Sequence, residues 1–239
     1  MALLVVENLC KSFGAVKVAD DFSFTLNEGE SLGIIGPNGA GKTSLFNLIS
    51  GNLKPASGHV HFAGKDITST STSQRCLAGI GRTYQIPQPF SKLTVFENCL
   101  VAGSFGANKS EKQCYDYCAE VLKRTGLLKK ANVVAGSLTL LERKALELSR
   151  ALCSSPKLLL LDEIAGGLTD REATEVVAMV KEINASGTAI IWIEHIVHAL
   201  VSAVNRLLVI NFGAKAMDGD PTEVMNSAEV KRIYMGIEV

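Results

Sequence analysis

The stretch GPNGAGKTS, at residues 36–44, restricts the possible folds of this chain more than any other segment. It carries Gly36, Gly41, Lys42 and Thr43 in the spacing G-x-x-x-x-G-K-[ST], after the apolar SLGII and before the helical pattern TSLFNLIS. Glycines allow backbone N–H groups to close around phosphate oxygens, and a helix N-terminus adds its positive dipole end. The lysine of this pattern reaches the β and γ phosphates, and the threonine hydroxyl binds Mg²⁺. A glycine-rich turn without a ligand is the alternative, but the flanking strand and helix favour a phosphate-binding loop (P-loop).

A second segment, LLLLDE at residues 158–163, places two acids after four leucines. Such an apolar run is typical of a strand buried on both faces of a parallel sheet, and open α/β sheets bind ligands at the carboxyl ends of their strands. By itself the acidic pair could be the solvated end of a strand. Because a P-loop enzyme needs a second acid to hold Mg²⁺, we expect Asp162 to be a metal ligand and Glu163 to polarise the attacking water.

Strand and helix patterns alternate along the chain and predict an α/β fold. DFSFTLNEGE is typical of a half-buried strand, TAIIWIE and RLLVIN of buried strands, and PTEVMNSAEVKRIYMG of one or two short helices. Residues 93–150 have a helical pattern with the capping-box sequences TVFE and SEKQ. We therefore expect a single domain, 1–239. Its nucleotide-binding core, 1–92 and 151–239, should contain a mostly parallel sheet with helices on both faces and an N-terminal antiparallel β part, and 93–150 should be an inserted helical subdomain.

The composition argues against several classes of protein. Lys plus Arg equals Asp plus Glu at 24 each, without the basic excess that is typical of nucleic-acid-binding proteins. No apolar run approaches the ~18 residues of a membrane span, and MALLVVENLCKSFG lacks the pattern of a signal peptide or a myristoylation site. We therefore expect any membrane association to go through a partner. The six cysteines are predicted to be small apolar side chains, and His59 and His61 to be surface residues.

The chain resembles the ATP-binding cassette (ABC) ATPases over essentially its whole length. GPNGAGKTSL is similar to the family's Walker A motif, and LLLLDE to its Walker B motif. GRTYQIPQPF resembles the Q-loop, which implies that Gln85 contacts Mg²⁺ and the nucleophilic water. IWIEH resembles the segment that ends in the switch histidine, which implies that His195 contacts the γ-phosphate. ATP and Mg²⁺ are the implied cofactors. The implied metal ligands are Thr43, Gln85 and Asp162, and the implied catalytic residues are Glu163, His195, Gln85 and Lys42.

Weaker matches extend the predicted nucleotide contacts. KSFG places Phe13 where the family stacks an aromatic side chain on adenine, and Val18 falls at the neighbouring ribose-side contact, although Phe13 could equally be a core residue. The signature sequence, LSGGQ in most of the family, is LTLLE here, at residues 138–142, and Thr139 can replace the usual serine hydroxyl. Thr139 and Glu142 also fit a capping box, which needs no nucleotide. The predicted nucleotide-binding residues are Phe13, Val18, Asn38, Gly39, Ala40, Gly41, Lys42, Thr43, Ser44, Gln85, Leu138 and Thr139.

The motifs, the short cassette and the ending RIYMG look most like the ATPases of branched-chain amino-acid importers. This resemblance implies a subunit that pairs head to tail with a second ABC ATPase, of the same or a different chain. It implies permease subunits in the membrane and, indirectly, an extracytoplasmic solute-binding protein as further partners, with the chain on the cytoplasmic side of the inner membrane. The chain departs from the family at Ile164, where proline usually follows Walker B, and at Thr169, where many members have an aspartate.

Three alternatives remain open. An ATPase of a lipid or lipopolysaccharide ABC transporter would share much of the pattern. A soluble ABC protein acting on ribosomes or DNA is disfavoured, because the chain has one cassette and no heptad run between Gln85 and Asp162. A P-loop kinase or GTPase outside the family is disfavoured by the Q-loop, the Walker B glutamate and His195 together.

Overall fold

The computed structural model describes the backbone of residues 1–235 and the side chains up to Ile233, and the chain divides into two compact units. The first unit consists of Met1–Thr72 and the chain from Ala189 onward, and the second of Ser73–Thr188. The strands are β1 (Ala2–Phe13), β2 (Val16–Asn27), β3 (Ser31–Ile35), β4 (Ser57–Phe62), β5 (Lys65–Asp66), β6 (Ile80–Arg82), β7 (Leu158–Asp162), β8 (Ala189–Ile193), β9 (Arg206–Asn211) and β10 (Ala214–Gly219). The helices are α1 (Lys42–Ser50), α2 (Thr72–Ala78), α3 (Val95–Gly106), α4 (Glu111–Arg124), α5 (Leu140–Cys153), α6 (Asp170–Ala185), α7 (Val197–Ala203), α8 (Pro221–Asn226) and α9 (Ala228–Met235).

Four strands of the first unit form an antiparallel sheet in the order β2-β1-β4-β5. Side chains alternate between the two faces of a strand, and β2 therefore buries Phe22, Phe24 and Leu26 on one face. Val6 of β1 lies opposite Val60 of β4, and both are buried. The predicted N-terminal antiparallel β part is confirmed, and its buried face is apolar.

The P-loop strand β3 lies between two parallel neighbours in the first unit. It pairs with β8 on one side and with β9 on the other, and β10 adds an antiparallel edge next to β9. Every residue of β3 and of β8 is buried, as expected for strands covered on both faces. α1 ends at Ser50, where Gly51 adopts the left-handed conformation of a helix C-cap, with φ 84°. The predicted strand, loop and helix are confirmed.

The second unit contains a parallel pair of strands and most of the long helices. β6 pairs in parallel with β7, and all five residues of β7 are buried. Thr94 and Ser110 begin α3 and α4 through capping boxes, as TVFE and SEKQ predict. α6 buries an apolar stripe of Ala173, Val176, Val177, Val180 and Ile183. The predicted helical subdomain, 93–150, contains α3, α4 and most of α5, and the division of the chain into core and subdomain stays a prediction.

The predictions for the cysteines and for the C-terminal helices are met. Four of the six cysteines are buried, and all six are free thiols. Within residues 1–235, no helix combines the length and the apolar character that crossing a membrane requires. The C-terminal segment forms the two short helices α8 and α9, whereas Gly236, the last residue of RIYMG, lies outside the described residues.

Candidate functional site

The P-loop between β3 and α1 requires glycine at two positions. Gly41 precedes α1 with φ 107°, and a Cβ atom there would lie 2.3 Å from the main-chain oxygen of Val18. A Cβ atom at Gly36 would lie 2.2 Å from the main-chain oxygen of Ile210. Neither approach is possible for a real side chain, and the positive φ of Gly41 further disfavours an L-residue. Close packing against neighbouring backbone therefore explains the two glycines that define the motif, Gly36 and Gly41.

Lys42 is buried at the start of α1, and its ammonium group lies within the loop. Nζ donates to the main-chain oxygens of Gly36 at 2.7 Å and Pro37 at 3.0 Å. α1 has no side-chain cap and no acid in its first turn, so no side chain of that turn neutralises its positive dipole end. Thr43, in the same turn, is exposed. A cation, an uncapped helix start and an accessible hydroxyl together suit an anion such as a phosphate group.

The hairpin of β1 and β2 lies beside the P-loop, because the main chain of Val18 packs against Gly41. Phe13 pairs with Val16 at the tip of this hairpin and is 54% exposed. The alternative of a core role for Phe13 is therefore wrong, since a core side chain would be buried. The Lys11 ammonium lies 5.7 Å from the centre of the Phe13 ring. The ring is accessible to a planar ligand, and stacking on adenine stays a prediction.

His195 leaves the sheet at the same end as the P-loop. Ile34 of β3 lies opposite Ile193 of β8 in a parallel pair, and Gly36 and His195 each follow two residues later. His195 is exposed, and its main-chain N–H donates to the carboxylate of Glu194 at 3.2 Å. The register of β3 and β8 thus places the predicted switch histidine at the end of the first unit's sheet where the P-loop begins.

In the second unit, Asp162 ends β7 as a buried carboxylate paired with an arginine. Its Oδ2 accepts a hydrogen bond from Nη2 of Arg82 at 3.2 Å, and both side chains are less than a tenth exposed. The pairing follows from the parallel register of β6 and β7, in which Arg82 lies opposite Leu160. A buried carboxylate without a compensating charge is costly, so Arg82 stabilises the position that the sequence assigns to a metal ligand.

Glu163 follows in the left-handed conformation, with φ 49°. Strain of this kind in a non-glycine residue clusters at functional sites. Nε2 of Gln85 donates to Oε2 of Glu163, and Nζ of Lys144 donates to the main-chain oxygen of Glu163 at 3.0 Å. These three residues and Leu140 line an open cleft of about 400 Å³. The structure therefore brings together Gln85 and Glu163, the two side chains that the sequence assigns to the attacking water.

The signature segment starts α5 with a complete capping box. The Thr139 hydroxyl accepts from the Glu142 N–H at 3.4 Å, and the Glu142 carboxylate accepts from the Thr139 N–H at 3.0 Å. Glu142 also forms an ion pair with Lys130. The hydrogen bonds from Lys130 and then from Thr139 lower the pKa of Glu142. The Glu142 carboxylate therefore contacts both the Lys130 ammonium group and the first N–H of the helix start. The neighbouring side chain of Leu140 is 48% exposed.

Sequence reasoning missed three cations of the second unit: Arg82, Lys130 and Lys144. Arg82 contacts the side chain of Asp162, and Lys144 contacts the main chain of Glu163. Lys130 contacts Glu142 of the signature segment. Arg82 stands three residues before Gln85 and ends a short strand, which is a usable signal only once the pairing of β6 with β7 is known. For the two lysines no local pattern distinguishes them from ordinary surface cations.

Comparisons with known proteins agree with these motifs. The family described as "ABC transporter" matches residues 19–166, which is more than half of the chain. The high-affinity branched-chain amino acid transport ATP-binding protein LivG of Salmonella typhimurium is 33% identical, with 98% of each chain covered. The lipopolysaccharide export system ATP-binding protein LptB of Haemophilus influenzae is 30% identical, with 99% of this chain and 98% of LptB covered. A solved structure shows the ADP conformation of MJ1267, an ATP-binding cassette of an ABC transporter. It matches with a TM-score of 0.89 and 31% identity, and the alignment covers 99% of this chain and 100% of the MJ1267 chain.

Proposed function

The chain belongs to the ABC transporter family and is an ATPase of the ATP-binding cassette type, and we propose that it powers a membrane importer of branched-chain amino acids. The hydrogen bond between Gln85 and Glu163 carries the catalytic part of this proposal. It holds a carboxylate next to an amide at the end of a buried strand, where a water molecule can be oriented and deprotonated. The substrate class is supported by the similarity to LivG over nearly the whole chain.

Nucleotide binding would begin at the P-loop. Lys42 would exchange its hydrogen bonds to the main-chain oxygens of Gly36 and Pro37 for bonds to phosphate oxygens. The ammonium group is charged in both states, but a phosphate oxygen also carries negative charge, so the exchange adds an attraction between opposite charges that a main-chain oxygen cannot supply. The uncapped start of α1 supplies further donors, and the exposed ring of Phe13 supplies a surface for adenine. The remaining proposed contacts are Val18, Asn38, Gly39, Ala40, Gly41, Thr43 and Ser44.

Mg²⁺ fits the proposed ligands Thr43, Gln85 and Asp162 chemically. Mg²⁺ is a hard cation that takes oxygen ligands, and each of these side chains offers one. Thr43 is exposed, and Gln85 uses its Nε2 to hold Glu163, so its amide oxygen is the atom left to accept. When bound, Mg²⁺ would neutralise charge on the phosphates that are being separated.

Glu163 is the proposed general base, and it would take a proton from water as the water oxygen bonds to the γ-phosphorus. The bond between that phosphorus and the β–γ bridging oxygen would break, and ADP would leave with its electron pair. Gln85 would orient this carboxylate, and His195 would contact the γ-phosphate. The hydrogen bond from Lys144 to the main chain of Glu163 fixes the strained conformation from which the carboxylate projects. Lys144 is therefore proposed as a positioning residue.

Two ABC ATPase subunits are proposed to pair head to tail, each contributing its signature segment to the nucleotide held by the P-loop of the other. In the closed pair the nucleotide contacts both subunits, whereas in the open pair it contacts only one. It therefore binds the closed pair more tightly and shifts the open–closed equilibrium towards closure. Permease subunits in the membrane would convert closure and reopening into transport, with a solute-binding protein delivering the amino acid. The chain would then lie at the cytoplasmic face of the inner membrane without crossing it.

Reconstitution tests the substrate class. The chain would be assembled in liposomes with permease subunits and a solute-binding protein of a branched-chain amino-acid importer from the same organism. ATP-driven uptake of labelled leucine, isoleucine and valine would then be measured. We expect uptake that requires ATP and is lost in Glu163→Gln. Absence of uptake, together with ATPase activity that responds to lipopolysaccharide, would favour the alternative suggested by the similarity to LptB.

A further inference from the structure

One face of the antiparallel sheet in the first unit carries four side chains that can bind a metal ion. His59 and His61 stand two residues apart on β4, so both project from the same face. Glu7 of β1 lies opposite His59, and Asp66 of β5 lies opposite His61. Residues directly opposite each other on paired strands share a face. The four side chains, called the β4 cluster below, therefore lie together although they come from three strands.

Contacts within the β4 cluster run diagonally between the strands. Nδ1 of His59 lies 3.1 Å from Oδ2 of Asp66, and Nε2 of His61 lies 3.5 Å from Oε2 of Glu7. The potential ligand atoms of His59, His61 and Asp66 all lie within 4.8 Å of one another. In a tetrahedral site with bonds of ~2.1 Å, ligand atoms stand about 3.4 Å apart. Small rotations of side chains that reach solvent can close this difference without moving a strand.

Asp66 is held with one carboxylate oxygen towards the histidines. Its Oδ1 accepts from the Thr68 N–H at 2.8 Å, and the Thr68 hydroxyl in turn accepts from the Val60 N–H at 2.8 Å. Because Oδ1 is held by Thr68, Oδ2 is the oxygen that faces Nδ1 of His59. A carboxylate binds a metal ion in its ionised form, and Oδ2 is placed to serve as that ligand atom.

We propose that His59, His61 and Asp66, with Glu7 as the fourth ligand, bind a divalent transition metal ion of the Zn²⁺ type. Imidazole nitrogens suit Zn²⁺, Cu²⁺ and Ni²⁺, whereas Mg²⁺ prefers oxygen ligands alone. The β4 cluster and the proposed Mg²⁺ ligands of the nucleotide site therefore select different metals. A bound ion connects β1, β4 and β5, and it stabilises the sheet edge where β5 is only two residues long. No step of nucleotide hydrolysis uses these side chains.

Calorimetric titration of the tag-free, full-length protein with Zn²⁺ tests the site. Nucleotide is left out, because ADP would itself bind Zn²⁺, and excess Mg²⁺ is present to occupy sites that offer oxygen ligands alone. We expect one Zn²⁺ per wild-type chain. Combining His59→Gln with His61→Gln should lower the affinity for Zn²⁺ at least ~10-fold, because removing even a residue that only hydrogen-bonds to a metal ligand lowers affinity by this factor. His198→Gln is the matched control, because it removes an exposed histidine from α7 and should leave the affinity unchanged.

A second pair of substitutions separates ligation from damage to the fold. His59→Cys combined with His61→Cys supplies two thiolates in the same places and should restore Zn²⁺ binding, because thiolates are good Zn²⁺ ligands. Thermal melting without metal should be similar for all variants, since these side chains are not part of the core. A wild-type chain that binds no Zn²⁺ in the titration would overturn the proposal, as would a double glutamine variant that binds it with wild-type affinity.

Discussion

The starts of α1 and α5 differ in whether side chains accept hydrogen bonds from their first N–H groups. α1 follows Gly41 and has neither a side-chain cap nor an acid in its first turn. α5 follows Thr139 and has a complete capping box in which Glu142 is the acid. An uncapped start keeps its N–H groups and dipole for an external anion, whereas a capped start satisfies part of them internally. The start of α1 therefore suits an external anion, whereas the start of α5 is stabilised by its own side chains.

Other capped helices of the second unit sharpen this contrast. α3 and α6 begin with the same arrangement, formed by Thr94 with Glu97 and by Thr169 with Glu172. The signature segment LTLLE thus has the local structure of an ordinary helix start. We propose that it still contacts the nucleotide of the partner subunit through Thr139 and backbone N–H groups. Glu142 does not oppose this contact, because Lys130 and the capping bond hold its carboxylate.

The largest expected effect concerns the acid beside Gln85 in the second unit. Glu163→Gln keeps the size of the side chain and its hydrogen bonding but removes its basicity. ATP should still bind, while steady-state ATPase activity of the assembled transporter should fall by roughly 10²–10⁴-fold. Glu142→Gln, which makes the same exchange at the start of α5, is the control and should retain most of the activity. A Glu163→Gln variant that keeps most of its rate would rule out this residue as the base.

The next effect concerns the P-loop side of the comparison. Phe13→Ala should weaken ATP binding by about 1–3 kcal/mol, the range for stacking of a base on an aromatic ring, and calorimetric titration measures this. Without nucleotide, the Phe13→Ala variant should have the same melting temperature as the wild type, because the Phe13 ring is exposed. Phe105→Ala removes a ring that is 80% exposed on α3 and serves as the control. Equal ATP affinities of wild type and Phe13→Ala would refute the stacking.

Thr139→Ala tests whether the start of α5 is more than a cap. Loss of the cap should lower the free energy of unfolding by about 0.5–2 kcal/mol, measured by urea denaturation. Thr94→Ala removes the same kind of cap from α3 and should cost a similar amount. Only Thr139→Ala should also impair ATP-driven pairing of subunits, measured by light scattering. Normal pairing and hydrolysis in Thr139→Ala would mean that the signature segment serves the helix alone.

The smallest effect concerns the pH dependence of stability at Glu142. Because its pKa is lowered in the folded chain, its stabilisation is complete above the pKa of an unfolded glutamate, ~4.3, and is lost as the pH falls towards the folded value. Glu142→Gln preserves the capping box and should cost only about 0.3–1 kcal/mol of unfolding free energy at neutral pH. The difference from wild type should shrink in urea denaturation at acidic pH, and Lys130→Met should behave in the same way. A difference that does not vary with pH would show that the Lys130 contact contributes nothing.

Much of the local structure could be predicted from the sequence. The P-loop could be recognised from its residue spacing, although its glycines pack against distant backbone. The capping boxes at Thr94, Ser110 and Thr139 and the left-handed Gly51 depend on residues within about four positions of one another. Interactions over such short separations are determined by residue type and spacing, whatever the rest of the chain does. The buried strands were equally predictable, because an uninterrupted apolar run is stable only where both faces are covered.

The tertiary structure alone decided which side chains became partners across elements. Arg82 meets Asp162 because β6 pairs with β7, and the β4 cluster exists because β1 and β5 flank β4 in one particular register. A shift of one residue in either pairing would send the partner side chains to opposite faces. The exposure of Phe13, which removed the core alternative, likewise follows from where the β1–β2 hairpin ends. Spacing along the chain thus determined the conformation of each segment, whereas strand register and packing determined the contacts between segments, because those depend on the whole core at once.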